Sequence, residues 1–230
     1  MPEFEEISGI KIQLPEKPKK KDILFSNLPK KKQKWYRTEM PSGLSPDTAS
    51  KYADFINQEF DRRANGVWFM NNGVPTYITG EHYYYLNWCK LDIGYPNYRD
   101  RDRRFYMFWD HCTKDPDCFG LVMVKHRREG ASYKGAAMLL YEVTANYNAH
   151  GGIISKTGAD AKSLFTDKMV YMFRNLPFFF QPIIDGSDNP KSTLSFNQPG
   201  QKISKNFKTV TKSEALNSKI DWRNTKENSY

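Results

Sequence analysis

Residues 119–147 read FGLVMVKHRREGASYKGAAMLLYEVTANY, and the predicted fold class rests mainly on this segment. It opens with six mostly apolar residues, 119–124, the short continuous run expected of a buried parallel strand. A polar loop at 125–132 follows. Apolar residues then recur at helical spacing, namely Ala136, Leu139, Leu140, Val143 and Tyr147. This order predicts a strand, a loop and an amphipathic helix.

The next segment repeats this order of strand and helix. Ile153-Ile154, just after Gly151-Gly152, predicts a second short strand, and a third helix follows until Leu176-Pro177 stops it. Further strands are predicted at 193–196 and 203–210. Strands and helices in this order are typical of a right-handed βαβ sheet, so the predicted fold class is α/β.

Upstream of this region, helical structure is predicted to begin near Ser45-Pro46-Asp47, where proline takes the first helical position. The mostly apolar face of this helix comprises Tyr52, Phe55, Ile56, Glu59 and Phe60. A hairpin is predicted where 67–70 and 74–78 flank Asn71-Asn72-Gly73. A second helix opens at 79–82, and basic and aromatic residues alternate between 95 and 109.

Residues 1–44 are predicted to be a basic, largely irregular and poorly packed arm. Prolines interrupt its two lysine runs, at 17–21 and 30–34, where like charges also repel one another. The arm is either a solvated tail or a segment that contacts a polyanion. Trp35 and Tyr36 beside the second run add to the latter interpretation, because aromatic rings stack on bases or pack on a neighbour.

Composition limits the function. The 230 residues carry a net charge of +9, which makes a polyanion the first partner to consider. No run of about 18 apolar residues exists, so no membrane-spanning segment is predicted, and the acidic N-terminus does not resemble a signal peptide.

Three cysteines fit a reducing compartment. A zinc site at His111, Cys112 and Cys118 with Cys89 lacks C-x-x-C spacing, so buried free thiols are the favoured interpretation.

The loop at 125–132 carries the candidate chemistry. A phosphate-binding loop joins a strand to a helix whose N–H groups converge on the anion, and its usual pattern is G-x-x-x-x-G-K-[ST]. Gly130 takes the second glycine position and Ser132 the Ser/Thr position, whereas Ala131 replaces the lysine. Lys125 stands at the first glycine position, from which its flexible stem can curl back over phosphates.

Two alternatives remain open for this region. An ordinary basic βα connection also explains 125–132. Ser155-Lys156-Thr157 resembles the end of the usual phosphate-loop pattern and follows a predicted strand. However, serine precedes that lysine and His150 stands where the first glycine belongs, so Lys156 and Thr157 are predicted to begin the next helix.

Lys-His-Arg-Arg-Glu-Gly-Ala-Ser at 125–132 resembles the deviant Walker A motif of large terminase subunits, the DNA-packaging motors of tailed phages. In several of them the lysine lies at the front of the motif, as Lys125 does. The surrounding sequence resembles the same family, especially forms from phages of gut Bacteroidetes, over about residues 45–230. The similar segments are 79–87, 98–105, Ser155-Lys156-Thr157 with Asp160-Ala161 and Phe165, and 176–179.

The resemblance implies an incomplete P-loop NTPase sheet of the additional-strand type, a parallel sheet with helices on both faces, after a small α+β subdomain. The implied divisions are a basic arm at 1–44, a helical and aromatic subdomain framing the nucleotide at 45–115, and the N-terminal portion of the ATPase core at 116–230.

It also implies ATP and Mg²⁺ as cofactors. Lys125 would contact the β- and γ-phosphates, Arg128 or Arg127 would stabilise charge on the transferring phosphoryl group, and Ser132 would bind Mg²⁺. Lys125 and Arg128 are therefore the catalytic candidates. The implied nucleotide-binding residues are Lys125, Arg127, Arg128, Glu129, Gly130, Ala131, Ser132, Tyr133 and, from the adenine-framing segment 98–108, Tyr98. Core aromatics with solvated arginines are the alternative for 98–108.

The implied activity is an ATP-hydrolysing motor that drives double-stranded DNA into a procapsid in the host cytoplasm. The implied partners are a portal protein, a small terminase subunit and further copies in a homo-oligomeric ring. Hydrolysis also needs an acidic pair, and Ile183-Ile184-Asp185-Gly186 imitates it poorly because Pro182 interrupts the run and no Glu follows.

The sequence is therefore interpreted as the N-terminal part of a terminase large subunit, without the Walker B acid and the RNase H-like nuclease domain, and with little or no hydrolysis of its own. Two alternative functions are a non-catalytic basic nucleic-acid-binding or scaffold protein, and another P-loop NTPase such as a helicase.

Overall fold

The structure, a computed structural model, describes residues 3–187, 189–197 and 215–224, and its fold is mixed α/β. Two compact units divide the chain. The first contains the described residues up to Trp88 together with Tyr95–Glu129, and the second contains Cys89–Gly94 and the described residues from Gly130 onward.

The first unit begins with an antiparallel hairpin of β1 (Phe4–Ile7) and β2 (Ile10–Gln13). Its apolar side chains Ile7 and Ile12 are buried in a cluster with Met107. The expectation of a poorly packed arm is therefore wrong for this segment. The sequence contains a local signal for this hairpin. Two short segments of apolar and charged residues flank Ser8-Gly9, a turn dipeptide whose φ angles are both positive.

An ion pair also fixes this hairpin. Arg103, which is buried, donates Nη1 and Nη2 to the two carboxylate oxygens of Glu5 at 2.8 and 2.6 Å. Its Nε donates to the carbonyl of Tyr77 at 2.6 Å. Arg103, from the basic and aromatic stretch, is thus a structural residue. Farther along the arm, Ile23 packs with Trp68 and Met70.

The helix predicted at Ser45 is confirmed, although its first part is a 3-10 helix, Pro46–Tyr52, before α1 (Ala53–Asn65). The predicted face is confirmed in part, because Glu59 is fully buried whereas Phe60 is 44% exposed. The Glu59 carboxylate accepts hydrogen bonds from the Tyr83 hydroxyl at 2.5 Å, the Trp88 indole at 2.8 Å and Arg62 at 2.7 Å. These donors make the buried charge tolerable.

The predicted hairpin is confirmed as β3 (Val67–Asn71) and β4 (Val74–Ile78), in which Asn71 pairs with Val74. The two turn residues, Asn72 and Gly73, have φ angles of 49° and 89°, as a type I′ turn requires, and Asn-Gly is the preferred pair for this turn. The predicted second helix is α2 (Gly80–Trp88), and the basic and aromatic stretch forms α3 (Asp100–Lys114).

Residues 119–124 do not form the predicted strand. The structure has no strand there, and Phe119, Val122 and Val124 are 98%, 91% and 96% exposed. The apolar run suits a strand, but a parallel strand exists only where neighbouring strands supply hydrogen-bond partners on its edges. Among the described residues, nothing pairs with this segment.

The second unit contains the predicted helix as α4 (Ala131–Ala145) and the strand at Ile153-Ile154 as β5 (His150–Ser155). The third helix is composite, with α5 (Gly158–Ser163), a π-helical segment (Leu164–Val170) and α6 (Tyr171–Arg174). Residues 203–210 lie outside the described residues, so the strand predicted there stays a prediction.

A three-stranded sheet organises this unit. Its order is β5, then β7 (Lys219–Asn224), then β6 (Thr193–Ser195), and β6 confirms the strand predicted at 193–196. β5 and β7 are parallel, whereas β6 runs antiparallel to β7. The fully or almost fully buried core side chains of the unit include Leu140, Phe165, Met169, Phe173, Leu194, Phe196 and Ile220.

Candidate functional site

The first half of the candidate loop, residues 125–129, belongs to the first unit and has neither helix nor strand. Lys125, His126, Arg127 and Arg128 are exposed, so their charges face solvent. Arg128 has a φ of 68°, in the left-handed region that non-glycine residues seldom occupy. A sharp backbone turn thus falls at one of the two predicted catalytic residues.

Glu129, at the end of this half, is held by an ion pair. Arg101 Nη1 of α3 lies 2.7 Å from Glu129 Oε2 and 2.9 Å from Oε1. The Arg101 side chain is 55% exposed, so the pair contributes less than about 1 kcal/mol to stability. The pair connects the first half of the loop to α3.

The second half of the loop begins the second unit at Gly130. This residue has a φ of 72° and forms the N-cap of α4, where its carbonyl accepts from the amides of Tyr133 and Lys134, each at 3.0 Å. A Cβ atom at Gly130 would meet nothing within 4 Å, so the space beside the cap is open. The first turn of α4 contains no acidic residue, and Ser132 is exposed.

These features suit an anion. The first amides of a helix have no carbonyl partner within the helix, and the helix dipole adds positive potential at the same end. Ala131 and Ser132 supply two such amides at the start of α4. Gly130, Ala131 and Ser132 thus form the start of α4, but the strand that the phosphate-loop motif requires before the loop is not formed at 119–124.

Tyr133 is engaged inside the second unit. Its hydroxyl donates to Asp92 Oδ1 at 2.6 Å, and the ammonium group of Lys168 lies 3.8 Å from the centre of its ring. Lys168 comes from the π-helical segment. Both the edge and the face of this predicted nucleotide-binding residue therefore contact protein groups.

Tyr98, the predicted adenine contact, lies in the first unit among other rings. Its ring stacks on buried His82 with centroids 6.0 Å apart and meets Phe69 edge-on at 5.1 Å. Its hydroxyl donates to Asp100 Oδ1 at 3.3 Å. Burial, followed by the charge of Asp100, raises the pKa of Tyr98. This placement corresponds to the alternative of core aromatics at 98–108.

Lys134 is a residue that the sequence reasoning missed. It lies in the first turn of α4, next to the candidate loop, and only 5% of it is exposed. The sequence contains a partial signal, because Lys134 lies three residues before buried Ala137 and so is its neighbour on the helix surface.

The competing motif begins at Ser155, the last residue of β5, and Lys156-Thr157 connect this strand to α5. The Thr157 hydroxyl accepts from the amide of Asp160 at 3.1 Å and lies 2.7 Å from Asp160 Oδ2. Thr157 is thus the N-cap of α5, as predicted. Its hydroxyl satisfies the helix end, which removes it as a free ligand for a metal ion.

The three cysteines are free thiols, with Cys89 and Cys112 buried and Cys118 half-buried. Burial raises the pKa of the Cys112 thiol, and its hydrogen bond with Cys118 adds to the effect. Within the part of the chain that the structure describes, no three His, Cys, Asp or Glu side chains are grouped to hold a metal ion.

Among residues 3–187, 189–197 and 215–224, no helix has the length and apolar character needed to cross a membrane. Comparison of the chain with protein-family models and with curated proteins gives no match.

Proposed function

We propose that this chain is the ATPase part of a terminase large subunit, a P-loop NTPase that powers the movement of double-stranded DNA into a procapsid. The observation that carries the proposal is the start of α4, where left-handed Gly130 caps a 15-residue helix directly after a loop of exposed cations. Open space beside Gly130 and exposed Ser132 fit a phosphate group there. The order of the motifs around the loop supports the same assignment.

The proposal gives each loop residue a role. Lys125 contacts the β- and γ-phosphates of ATP, and Gly130, Ala131 and Ser132 offer backbone N–H groups. Arg128, with Arg127 beside it, stabilises the charge that develops on the transferring phosphoryl group. Ser132 offers its hydroxyl to Mg²⁺, which neutralises phosphate charge when bound.

The wider assignment follows from the same proposal. A packaging motor of this class works with a portal protein and a small terminase subunit in the host cytoplasm, as a homo-oligomeric ring. Its contacts with duplex DNA are with phosphates, which makes binding dependent on salt and indifferent to sequence.

Nucleotide binding tests the proposal without requiring turnover. We expect a fluorescent ATP analogue with Mg²⁺ to bind the chain, and Lys125→Ala to weaken binding about tenfold, the loss expected for one charged hydrogen bond to phosphate. Lys156→Ala is the matched control, because it removes a lysine from the competing motif, and its affinity should equal that of the parent. Equal affinities of parent and Lys125→Ala, or a selective loss in Lys156→Ala, would contradict the assignment.

A second candidate function is a non-catalytic, basic nucleic-acid-binding protein. The observation that favours it is the exposed, unpaired state of 119–124, since a phosphate loop normally follows a buried strand that fixes its position. This alternative predicts duplex DNA binding together with no measurable affinity for the ATP analogue. The same titration therefore decides between the two candidates.

A further inference from the structure

The second lysine run is exposed but is mounted on packed structure. Lys30–Lys32 form a 3-10 turn, and the next residue, Gln33, is buried. Gln33 donates its side-chain Nε2 to the Leu28 carbonyl at 2.8 Å, while its own carbonyl accepts from the Asn72 amide at 2.8 Å. Because Asn72 lies in the β3–β4 turn, the backbone of the run is fixed to a hairpin of the first unit.

The charge of this run is uncompensated. Residues 28–38 contain five cations and no carboxylate: Lys30, Lys31, Lys32, Lys34 and Arg37. None of the four lysines pairs with a carboxylate of the described residues. The first run differs, because Lys17 pairs with Glu3 at 2.6 Å and Glu16 and Asp22 flank the run.

The rings beside the second run are already engaged. Trp35 meets Phe69 and Tyr83 edge-on with centroids 5.3 and 5.8 Å apart. Tyr36 meets Phe25 edge-on at 5.2 Å, and its hydroxyl donates to the Lys32 carbonyl at 2.9 Å. Binding of single strands depends on aromatic faces that bases can stack on. The Lys34 ammonium group lies 5.6 Å from the centre of the Tyr36 ring, so it covers a ring face on which a base would stack. Rings engaged by protein groups, beside lysines with no carboxylate partner, favour contact with phosphates over stacking with bases.

We propose that residues 30–37 form a surface that binds the phosphate backbone of duplex DNA without reading its sequence. The ammonium groups of Lys31, Lys32 and Lys34 make the contacts, and the fixed backbone holds them in place before binding. The inference rests on the proposed function only in its choice of double-stranded DNA as the partner. All of its residues belong to the first unit.

The test compares two triple variants of the chain. Lys31→Gln, Lys32→Gln and Lys34→Gln together remove three lysines from the proposed surface. The control removes Lys19, Lys20 and Lys21 in the same way, which changes the net charge equally and also affects a 3-10 turn. Binding of a labelled duplex of about 20 base pairs is measured by fluorescence anisotropy over a range of salt concentrations.

Salt dependence gives the expected size of the effect. Lys31 and Lys32 lie on the 3-10 turn, where successive residues point about 120° apart, and Lys34 follows the turn. We therefore count about two of the three lysines as contacts with one duplex. Each phosphate contact adds about 0.9 to the slope of log affinity against log salt. Loss of two contacts lowers the slope by about 1.8. With equal affinities assumed at 1 M salt, the surface variant then binds roughly 60-fold more weakly than the parent at 0.1 M salt.

We expect this loss in the surface variant and less than about a threefold loss in the control, with the unfolding temperatures of both unchanged. Equal losses in the two variants would show that net charge alone matters and would overturn the surface. Tighter binding of a single strand, or equally tight binding of polyglutamate, would overturn duplex DNA as the partner. Unchanged ATP-analogue binding in Lys125→Ala would contradict only the proposed function, whereas equal losses of DNA binding in the two triple variants would contradict only the surface. The two failures are therefore distinguishable.

Discussion

Replacement of Glu59 by alanine should strongly destabilise the first unit. The Glu59 carboxylate is fully buried and accepts from Tyr83, Trp88 and Arg62. Tyr83 and Trp88 are 0% and 3% exposed, so their hydroxyl and indole groups cannot turn to water once the carboxylate is gone. The Arg62 side chain is 15% exposed and can partly recover its hydration.

The expected size follows from these groups. Each buried donor left without an acceptor costs about 1–3 kcal/mol, and breaking a buried ion pair from one side costs about 3–5 kcal/mol in total. We therefore expect a loss of about 4 kcal/mol in the free energy of unfolding. For a unit of this size the unfolding temperature should fall by roughly 10–15 °C.

Tryptophan emission is a suitable probe, because Trp35, Trp68, Trp88 and Trp109 belong to the first unit and only Trp222 to the second. Asp54→Ala is the matched control, since it removes an exposed acid from the same helix and should cost less than about 1 kcal/mol. A Glu59→Ala protein that unfolds within about 2 °C of the parent would refute this account of the buried carboxylate.

Two further predictions concern the same unit. Burial, followed by the charge of Glu59, raises the pKa of Tyr83. The stabilisation linked to that proton is therefore complete below about pH 10 and is lost as the pH rises toward the folded-state pKa, by up to about 1.4 kcal/mol per pH unit. In urea unfolding between pH 9 and 11, Tyr83→Phe should lose stability less steeply than the parent, and equal slopes would contradict the assignment. Gly80→Ala should cost more than about 2 kcal/mol, because its Cβ would lie 1.9 Å from the Arg63 carbonyl oxygen. Gly120→Ala, where a Cβ meets nothing within 4 Å, should leave the unfolding temperature unchanged, and a similar loss in both variants would argue against the close contact.

The features that the sequence predicted correctly are local ones. Asn72-Gly73 predicts its own turn because both residues accept a positive φ, and Thr157 predicts a helix start because its hydroxyl can bond an amide three residues on. At the candidate loop, Gly130 is placed at the start of α4 by the same kind of reasoning. Such features need no knowledge of distant parts of the chain.

The features that were missed depend on distant partners. Residues 119–124 have the composition of a strand, but pairing requires neighbours far along the chain, which composition does not reveal. Glu59 falls on an otherwise apolar face, and its donors Tyr83 and Trp88 come from another helix. The same holds for Glu5, whose partner Arg103 lies 98 residues away in the sequence.

The π-helical segment Leu164–Val170 sets the orientation of everything that follows it in the composite helix. A π turn closes a wider hydrogen-bonded ring than an α turn, so a deletion of one residue could be absorbed there while the helix stays continuous. Each α-helical residue advances about 100°, so a deletion in α5 instead would rotate Met172 and Phe173 out of the interior. Leu164–Val170 is therefore the part of the composite helix where the chain can lose one residue and still keep these two side chains buried.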